Sequence, residues 1–172
     1  HLPHLASGRI AGGLGCAVLS GLAGAGIGTI VIVDDDVVDQ ANLHRQPLYT
    51  PDDVGRQKAG AAAARLAAYN PTIRLRPMPV RLTAANAKEI VALGDVVVDC
   101  SDNFATKFLV NDAAVLMGRP AVLASVYQYE GQLQVVRADA RGSCLRCQWP
   151  EATRDGLVGN CAQTGVLPPV PA

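Results

Sequence analysis

The sequence lacks any uninterrupted apolar run of the roughly 20 residues that a membrane-spanning helix requires. It lacks the charged-then-apolar order of a secretory signal peptide at its amino-terminal end. It also lacks net charge, because 15 lysine and arginine residues balance 15 aspartate and glutamate residues. A neutral chain has no overall field that attracts a nucleic-acid backbone or an anionic membrane. We therefore expect a cytoplasmic protein whose partners are neither nucleic acid nor a membrane.

Cysteine is scarce and odd in number, with five residues in the chain. A closed disulfide framework is not expected from that count in a chain with no other secretory feature. Cys16 and Cys100 lie inside apolar segments and are interpreted as small core residues. The other three lie in polar, glycine-containing sequence and need another explanation: Cys144, Cys147 and Cys161.

The 172 residues are 49 % hydrophobic and 17 % charged, which fits one globular domain with a buried core, taken as residues 1–172. Between residues 28 and 120, short β-branched runs alternate with alanine-rich stretches, as in βαβ units. Thr29–Val33 and Val96–Asp99 are apolar without alternation and are predicted as central strands. The predicted fold is α/β and Rossmann-like: a mainly parallel sheet with helices on both faces. Residues 131–137 are predicted as an antiparallel extension.

Helix signals occur at several places. Helical spacing over residues 16–25 ends at Gly26. Thr50 as N-cap and Pro51 at the first helical position predict a second helix that continues to residues 70–71. Further helices are predicted over residues 86–93 and 104–117, an edge strand around residues 73–79, and another strand over residues 121–126.

A glycine-rich turn opens the first predicted helix at residues 12–15, Gly-Gly-Leu-Gly. Its backbone amides can approach a phosphate at the positive end of the helix dipole, although close packing of the helix on the sheet needs the same glycines. Asp34 ends an apolar strand about 20 residues later, where a carboxylate can accept a hydrogen bond from a ribose hydroxyl. The alternative for the acidic run 34–36 is a solvated turn.

A second acidic cluster follows the next central strand at residues 99–103, Asp-Cys-Ser-Asp-Asn. Ligands of open parallel sheets collect beyond the carboxyl ends of the strands. A carboxylate beside a triphosphate needs a divalent cation between them, so Asp102 is predicted to bind Mg²⁺. Arg45 and Lys58 supply charge that clamps phosphates, although each alone is also an ordinary surface residue. An NAD-dependent dehydrogenase needs only one acidic cluster and is disfavoured.

Together these residues resemble the ThiF/HesA/MoeB family of adenylyltransferases, which are similar to the adenylation domain of ubiquitin-activating enzymes. The resemblance implies that ATP and the C-terminal glycine of a ubiquitin-like sulfur carrier give an acyl adenylate and pyrophosphate, in a homodimer. It leaves the pathway open, molybdopterin and thiamine synthesis included. The alternative is a non-catalytic nucleotide-binding or scaffold module. The matching segments are residues 12–16, 42–46 (Asn-Leu-His-Arg-Gln), 54–58 (Val-Gly-Arg-Gln-Lys), 70–71 (Asn-Pro) and 99–103, with Asp34 and Asp36.

The family resemblance also implies a role for each site residue. The nucleophile is a carboxylate already ionised at pH 7, so positioning and charge neutralisation are enough for catalysis. The implied catalytic residues are Asp102, Arg45, Lys58 and Cys161. The implied nucleotide site has Gly13 against the nucleotide, Asp34 at the ribose, Asp36 as a further nucleotide-binding residue, Asn42, Arg45 and Lys58 at the phosphates with Gln46 nearby, Asp102 on Mg²⁺, Asn103 lining the site, and Lys107 where the family commonly has arginine.

Cys144 and Cys147 form a Cys-x-x-Cys pair, half of a structural Zn²⁺ site that the family completes with a second pair. A redox pair or two ordinary thiols are the alternatives. We expect the missing ligands to lie outside residues 1–172. Cys161 resembles a loop cysteine that some family members use for a covalent link to the carrier.

The first strand and the last segment depart from the family pattern. The family places about four β-branched residues before the glycine turn, whereas Ile10 here replaces the first glycine of Gly-x-Gly-x-x-Gly. We expect that the segment forming the first strand is omitted from this sequence. The alternative is that the strand is cut down to residues 9–11. The chain also stops before the elements that usually complete the fold, so the domain is expected to be incomplete at both places.

Overall fold

The computed structural model describes residues 4–8, 12–127, 130–137 and 142–150 of the chain. Strands and helices alternate along most of this length. In chain order they are β1 His4–Gly8, α1 Gly13–Gly24, β2 Thr29–Val33, α2 Lys58–Tyr69, β3 Arg74–Met78, α3 Ala87–Ala92, β4 Val96–Asp99, α4 Phe104–Leu116, β5 Ala121–Tyr127, β6 Glu130–Val136 and α5 Leu145–Gln148, with 3₁₀ helices at Gln40–Arg45 and Pro51–Asp53.

The strands form one six-stranded sheet in the order β3-β2-β1-β4-β5-β6. The first five of these are parallel, and β6 runs antiparallel to β5. The strand order reverses at β1, which pairs with β2 on one side and β4 on the other. In doubly wound sheets this reversal opens a crevice at the carboxyl ends of the strands, where ligands bind. The predicted α/β Rossmann-like fold with an antiparallel extension is confirmed.

Strand β2 is buried on both faces, which explains why its sequence does not alternate. Ile30 and Ile32 belong to a core cluster with residues of α1 and α2. Val31 and Val33 point to the other face and pack with Ile90 of α3. Because successive side chains of a strand face opposite ways, both sets must be apolar when helices cover both faces.

Strand β4 divides its side chains in the same way. Val98 joins the core that α1 and α2 cover, whereas Val97 packs in a second core with Phe108 and Val110 of α4. Leu123 of β5 contributes to this second core. The two cores fix α1 and α4 on opposite faces of the sheet, with their amino-terminal ends at the same edge.

The expectation of a missing first strand was wrong. His4–Gly8 forms β1, and its residues pair in register with residues 29–32 on one side and Val96–Asp99 on the other. Sequence reasoning passed over this segment because it contains no β-branched residue. Parallel pairing on both sides places the strand despite that composition, so the sheet has its central strand in this chain.

The prediction of one helix from Thr50 to residues 70–71 was also wrong. Thr50 and Asp53 do form a capping box, but it caps only the 3₁₀ helix Pro51–Asp53. The chain then turns at Gly55, whose φ is +85°, and α2 begins at Lys58. A positive φ ends a helix, and glycine is the residue that adopts it without strain. The turn therefore sets where Lys58 lies.

The remaining elements lie within a few residues of their predicted positions. The proline-containing strand β3 is at the edge of the sheet, as predicted. Cys16 and Cys100 are buried free thiols, which confirms their interpretation as core residues. In the described part of the chain, no helix is long and apolar enough to cross a bilayer.

Two glycine-to-alanine variants test the turn before α2. Gly55→Ala places a side chain at a φ of +85° and should destabilise the protein by about 1 kcal/mol. Gly60→Ala lies inside α2, where an added Cβ meets nothing within 4 Å. It should stabilise the protein by about 0.5–1 kcal/mol. Equilibrium urea unfolding measures both changes, and equal effects at the two positions would contradict the role of Gly55.

Candidate functional site

The amino-terminal end of α1 lies beyond the carboxyl end of the central strand and is open to an anion. No side chain caps the helix at Gly12, and its first turn has no acidic residue. A Cβ added at Gly12 would meet nothing within 4 Å, so close packing of the described residues does not explain this glycine. Gly13, the first residue of α1, therefore offers an amide at the positive end of a helix with space beside it.

The loop after β2 brings an acidic cluster against a lysine. The carboxylate oxygens of Asp34, Asp35 and Asp36 lie within 4.8 Å of one another. Asp34 is 2 % exposed, and its Oδ1 accepts a hydrogen bond from the amide of Asp36 at 2.9 Å. Lys58 donates from Nζ to Oδ2 of Asp36 at 3.2 Å, and only 6 % of its side chain is exposed. The run 34–36 thus forms a hydrogen-bonded turn with a lysine beside it.

Several charged groups of this region influence the pKa of Cys16, which lies in the first turns of α1. Burial raises the pKa of the Cys16 thiol to about 11, so the thiol is protonated at neutral pH. The charges of Lys58, Asp34 and Arg45 act on the same thiol. The pKa of one residue of α1 therefore responds to three predicted site residues from separate segments.

The segment 40–46 carries the predicted phosphate-binding residues on a capped 3₁₀ helix. Asp39 caps it by accepting a hydrogen bond from the amide of Ala41 at 2.8 Å. Asn42 and Arg45 are half-buried, and Gln46 is 2 % exposed. Oε1 of Gln46 has no hydrogen-bond partner among the described residues. A buried, unpaired acceptor is costly and is common where a ligand or water completes a site.

A hydrogen bond from Tyr49 holds the backbone of Lys58 in place. Tyr49 is 5 % exposed, and its hydroxyl donates to the backbone oxygen of Lys58 at 3.4 Å. Burial raises the pKa of Tyr49 above its usual value, so the hydroxyl stays protonated and remains a donor. The start of α2 is thus fixed by a side chain as well as by the turn at Gly55.

A small depression opens beside Asp34. It is formed by the end of β2, the segment that follows β3 and the first turn of α4. Sequence reasoning missed the part that follows β3, although its position after a strand next to β2 was a usable signal. The lining residues are Val33, Asp34, Asp35, Val80, Arg81, Leu82 and Thr106.

The turn between β4 and α4 holds the second acidic cluster. Asp102 is exposed there. Asn103 caps α4, because its Oδ1 accepts the amide hydrogen of Thr106 at 2.8 Å. Asp99 is fully buried and forms an ion pair with Lys107, with 2.9 Å between Oδ2 and Nζ. Lys107 is therefore engaged inside the protein at a position where the family resemblance implied an arginine of the site.

The Cys-x-x-Cys pair lies at another part of the molecule. The Sγ atoms of Cys144 and Cys147 are 3.6 Å apart. Partial burial acts to raise the pKa of Cys144, but hydrogen bonds from Cys147, from the amide of Arg146 and from the Asn111 side chain outweigh it and lower that pKa. A lowered thiol pKa favours the thiolate, which is the form that binds a metal.

The pair is attached to the second half of α4. Asn111 accepts a hydrogen bond from the amide of Leu145 at 2.9 Å. Arg146 makes two bonds to the carboxylate of Asp112, at 2.7 Å and 2.6 Å, and lies over the ring of Phe108. Asp112 is about 13 Å along the helix axis from the residue that caps α4, at about 1.5 Å per residue. The thiols are therefore separate from the crevice.

The structure thus brings most predicted nucleotide-site residues to one edge of the sheet. Lys58 is in direct contact with Asp36 of the acidic run 34–36. The charge of Arg45, like those of Lys58 and Asp34, influences the pKa of Cys16. Thr106 lines the same depression as Asp34. Cys144 and Cys147 are not part of this group. Cys161 lies outside the described residues.

The fold and the site define a Rossmann-like domain with a helix that has no side-chain cap at Gly12 and with acidic residues at two strand ends. The sequence profile of the ThiF family matches residues 11–172. The chain belongs to the ThiF family.

Relatives from bacteria and archaea share close to half of the aligned residues. The chain is 49 % identical over 166 residues to the sulfur carrier protein adenylyltransferase of Thermus thermophilus, covering 94 % of this chain and 61 % of that protein. It is 46 % identical over 161 residues to the SAMP-activating enzyme E1 of Haloferax volcanii, with 94 % and 59 % covered. It is 49 % identical to the probable adenylyltransferase/sulfurtransferase MoeZ of Mycobacterium tuberculosis, with 91 % and 41 % covered.

Solved structures show the same fold. E. coli MccB crystallised with ATP superposes with a TM-score of 0.73 at 27 % identity, over 84 % of this chain and 43 % of that one. The E. coli tRNA N6-threonylcarbamoyladenosine dehydratase TcdA superposes with a TM-score of 0.67 at 29 % identity, over 70 % and 51 %. The chain spans about three fifths or less of the length of these sequence relatives.

Proposed function

We propose that this domain uses ATP to adenylate the C-terminal glycine of a ubiquitin-like sulfur-carrier protein and releases pyrophosphate. The observation that carries the proposal is the ion pair at this sheet edge, where Nζ of Lys58 lies 3.2 Å from Oδ2 of Asp36 and the adjacent Asp34 lines a depression shared with the first turn of α4. Relatives that are 46–49 % identical carry names of sulfur-carrier adenylyltransferases or E1 enzymes. A non-catalytic module of the same fold is the alternative.

In this proposal the nucleotide lies across the carboxyl ends of β2, β1 and β4. Asp34 accepts hydrogen bonds from the ribose, with Asp36 beside it, and the depression at Val80 and Leu82 takes the base. The support for this placement is that a nucleoside needs a carboxylate next to an apolar wall, and both line one depression. The amides of residues 13–15 face the phosphates.

The positive side chains neutralise the phosphates. Arg45 and Lys58 stand on separate segments and can approach a triphosphate from two directions, and Asn42 and Gln46 add polar groups that hydrogen-bond to it. Lys58 is held at Asp36, 3.2 Å away, so its ammonium stays in the crevice although it is almost fully buried. The unpaired Oε1 of Gln46 can accept a hydrogen bond from the ligand or its water shell.

Asp102, with Asn103 next to it, fits a Mg²⁺ site because it is an exposed carboxylate at the crevice edge and Mg²⁺ is bound by one or two carboxylates plus phosphate oxygens. The cation supplies charge neutralisation at the phosphates. The protein's own residues orient the triphosphate and the incoming carboxylate and hold them together. No general base is needed, because the attacking glycine carboxylate is ionised at pH 7.

Pyrophosphate exchange tests the proposal. The intact protein, incubated with ATP, Mg²⁺, labelled pyrophosphate and a carrier that ends in glycine, should return label to ATP. Asp102→Ala should lower the exchange rate about 100-fold or more, because charge neutralisation at the phosphates is lost. Its free energy of unfolding should change by less than about 0.5 kcal/mol, as is usual for exposed positions.

Asp95→Ala is the matched control. Asp95 is exposed just before β4, at the opposite end of the strand from Asp102. The same substitution there should leave the exchange rate unchanged. Exchange by Asp102→Ala near the rate of the unmutated protein would contradict the metal assignment. No exchange with any carrier would favour the non-catalytic module.

We further propose that Cys144 and Cys147 are two ligands of a structural Zn²⁺. Two sulfurs on one tetrahedral zinc, with Zn–S distances of about 2.3 Å, lie about 3.8 Å apart. The observed separation of 3.6 Å fits this geometry. Among the described residues, the only cluster of three or more potential metal ligands is the acidic run 34–36, so the other two ligands are not found there.

Metal analysis tests the zinc proposal. The intact protein should contain about one zinc per chain, since a tetrahedral site binds one ion. Cys144→Ala should lose the zinc, whereas Cys100→Ala, which removes a buried thiol in the β4–α4 turn, should retain it. Zinc-free protein in which both thiols react with a labelling reagent would identify the pair as ordinary thiols. Homodimerisation and a role in molybdopterin or thiamine synthesis stay predictions of the family resemblance, and a cytoplasmic location stays a prediction from the sequence.

A further inference from the structure

Lys107 forms a buried contact that the proposed reaction does not yet use. Only 8 % of its side chain is exposed, and its partner Asp99 is fully buried. Nζ of Lys107 donates to Oδ2 of Asp99 at 2.9 Å and also to the backbone oxygen of Ala124. The lysine therefore ties the carboxyl end of β4 to the neighbouring strand β5.

The other oxygen of Asp99 holds the turn that carries Asp102. Oδ1 of Asp99 accepts a hydrogen bond from the amide of Ser101 at 3.2 Å. Ser101 immediately precedes Asp102, and Asn103 then caps α4. One carboxylate thus links the lysine inside the protein to the backbone beside the proposed metal ligand.

The charge of Lys107 matters as well as its position. Asp99 is a buried carboxylate three residues before the proposed metal ligand Asp102, and a buried charge without a counter-ion is strongly disfavoured. The ammonium of Lys107 compensates the charge of Asp99 inside the protein. A neutral residue at position 107 leaves Asp99 without this partner.

We propose that Lys107 is a positioning residue that acts through Asp99 to hold the 99–102 turn, so that Asp102 can bind the Mg²⁺ of the nucleotide. This inference rests on the proposed function. Mutating groups that orient a metal ligand typically lowers metal affinity 10- to 100-fold. The expected signature is therefore a changed Mg²⁺ requirement, separate from a change in stability.

Calorimetry with a non-hydrolysable ATP analogue over a series of Mg²⁺ concentrations measures this requirement in the intact protein. Lys107→Met should raise the Mg²⁺ midpoint, the concentration that gives half-maximal binding of the analogue, about 10-fold or more, because the turn that carries Asp102 loses its support. Lys107→Arg keeps the charge and the donors and should stay within about threefold of the unmutated protein. Arg119→Met is the control, since its exposed pair with Asp95 lies at the opposite end of β4.

A double variant separates positioning from stability. Asp99→Leu with Lys107→Met removes both charges and also the oxygen that accepts the Ser101 amide hydrogen, and it should fold even if Lys107→Met alone does not, because an apolar pair replaces a buried ion pair. We expect its thermal stability to recover and its Mg²⁺ midpoint to remain raised. If the Mg²⁺ midpoint and the thermal stability both return to the values of the unmutated protein, the positioning role of Lys107 is overturned, whereas the proposed metal site is not. An unmutated protein that does not bind the analogue in a Mg²⁺-dependent way would overturn the proposed metal site and this inference with it.

Discussion

Strand β1 hydrogen-bonds in parallel to β2 on one side and to β4 on the other, and the position of every site residue depends on this pairing. Because all three strands run the same way, the segments that follow them meet at one edge of the sheet. The start of α1, the acidic run 34–36 and the 99–103 turn are thereby brought together although they are distant in sequence. A different strand order would separate the two acidic clusters.

Charge is distributed in the crevice so that a polyanion can enter it. Carboxylates alone would repel a nucleotide, and two devices reduce that repulsion. Lys58 lies at Asp36, and Lys107 compensates Asp99 below the surface. Arg45 contributes a second positive charge from a half-buried position. Asp102 is an exposed carboxylate at the same edge, and in the proposed function it binds the Mg²⁺ that accompanies ATP.

Local sequence signals were enough for the fold class, and the candidate site residues were proposed from strand ends and glycine turns. Features that depend on distant contacts were not predictable in this way. β1 lacks strand-forming composition and is placed by its neighbours. The break at Gly55 requires a backbone angle that the helix-start signals at Thr50 do not reveal. The pairing of Lys107 with Asp99 and the depression beside Asp34 arise only when separate segments pack together.

The central claim is that the crevice is built for ATP with Mg²⁺ and not for a dinucleotide. Isothermal titration calorimetry of the intact protein with ATP and Mg²⁺, and separately with NAD, compares the two ligands directly. The account predicts tighter binding of ATP, because Arg45 and Lys58 neutralise a triphosphate and Asp102 requires a bridging cation. Tighter binding of NAD, with no effect of Mg²⁺ on either ligand, would contradict it.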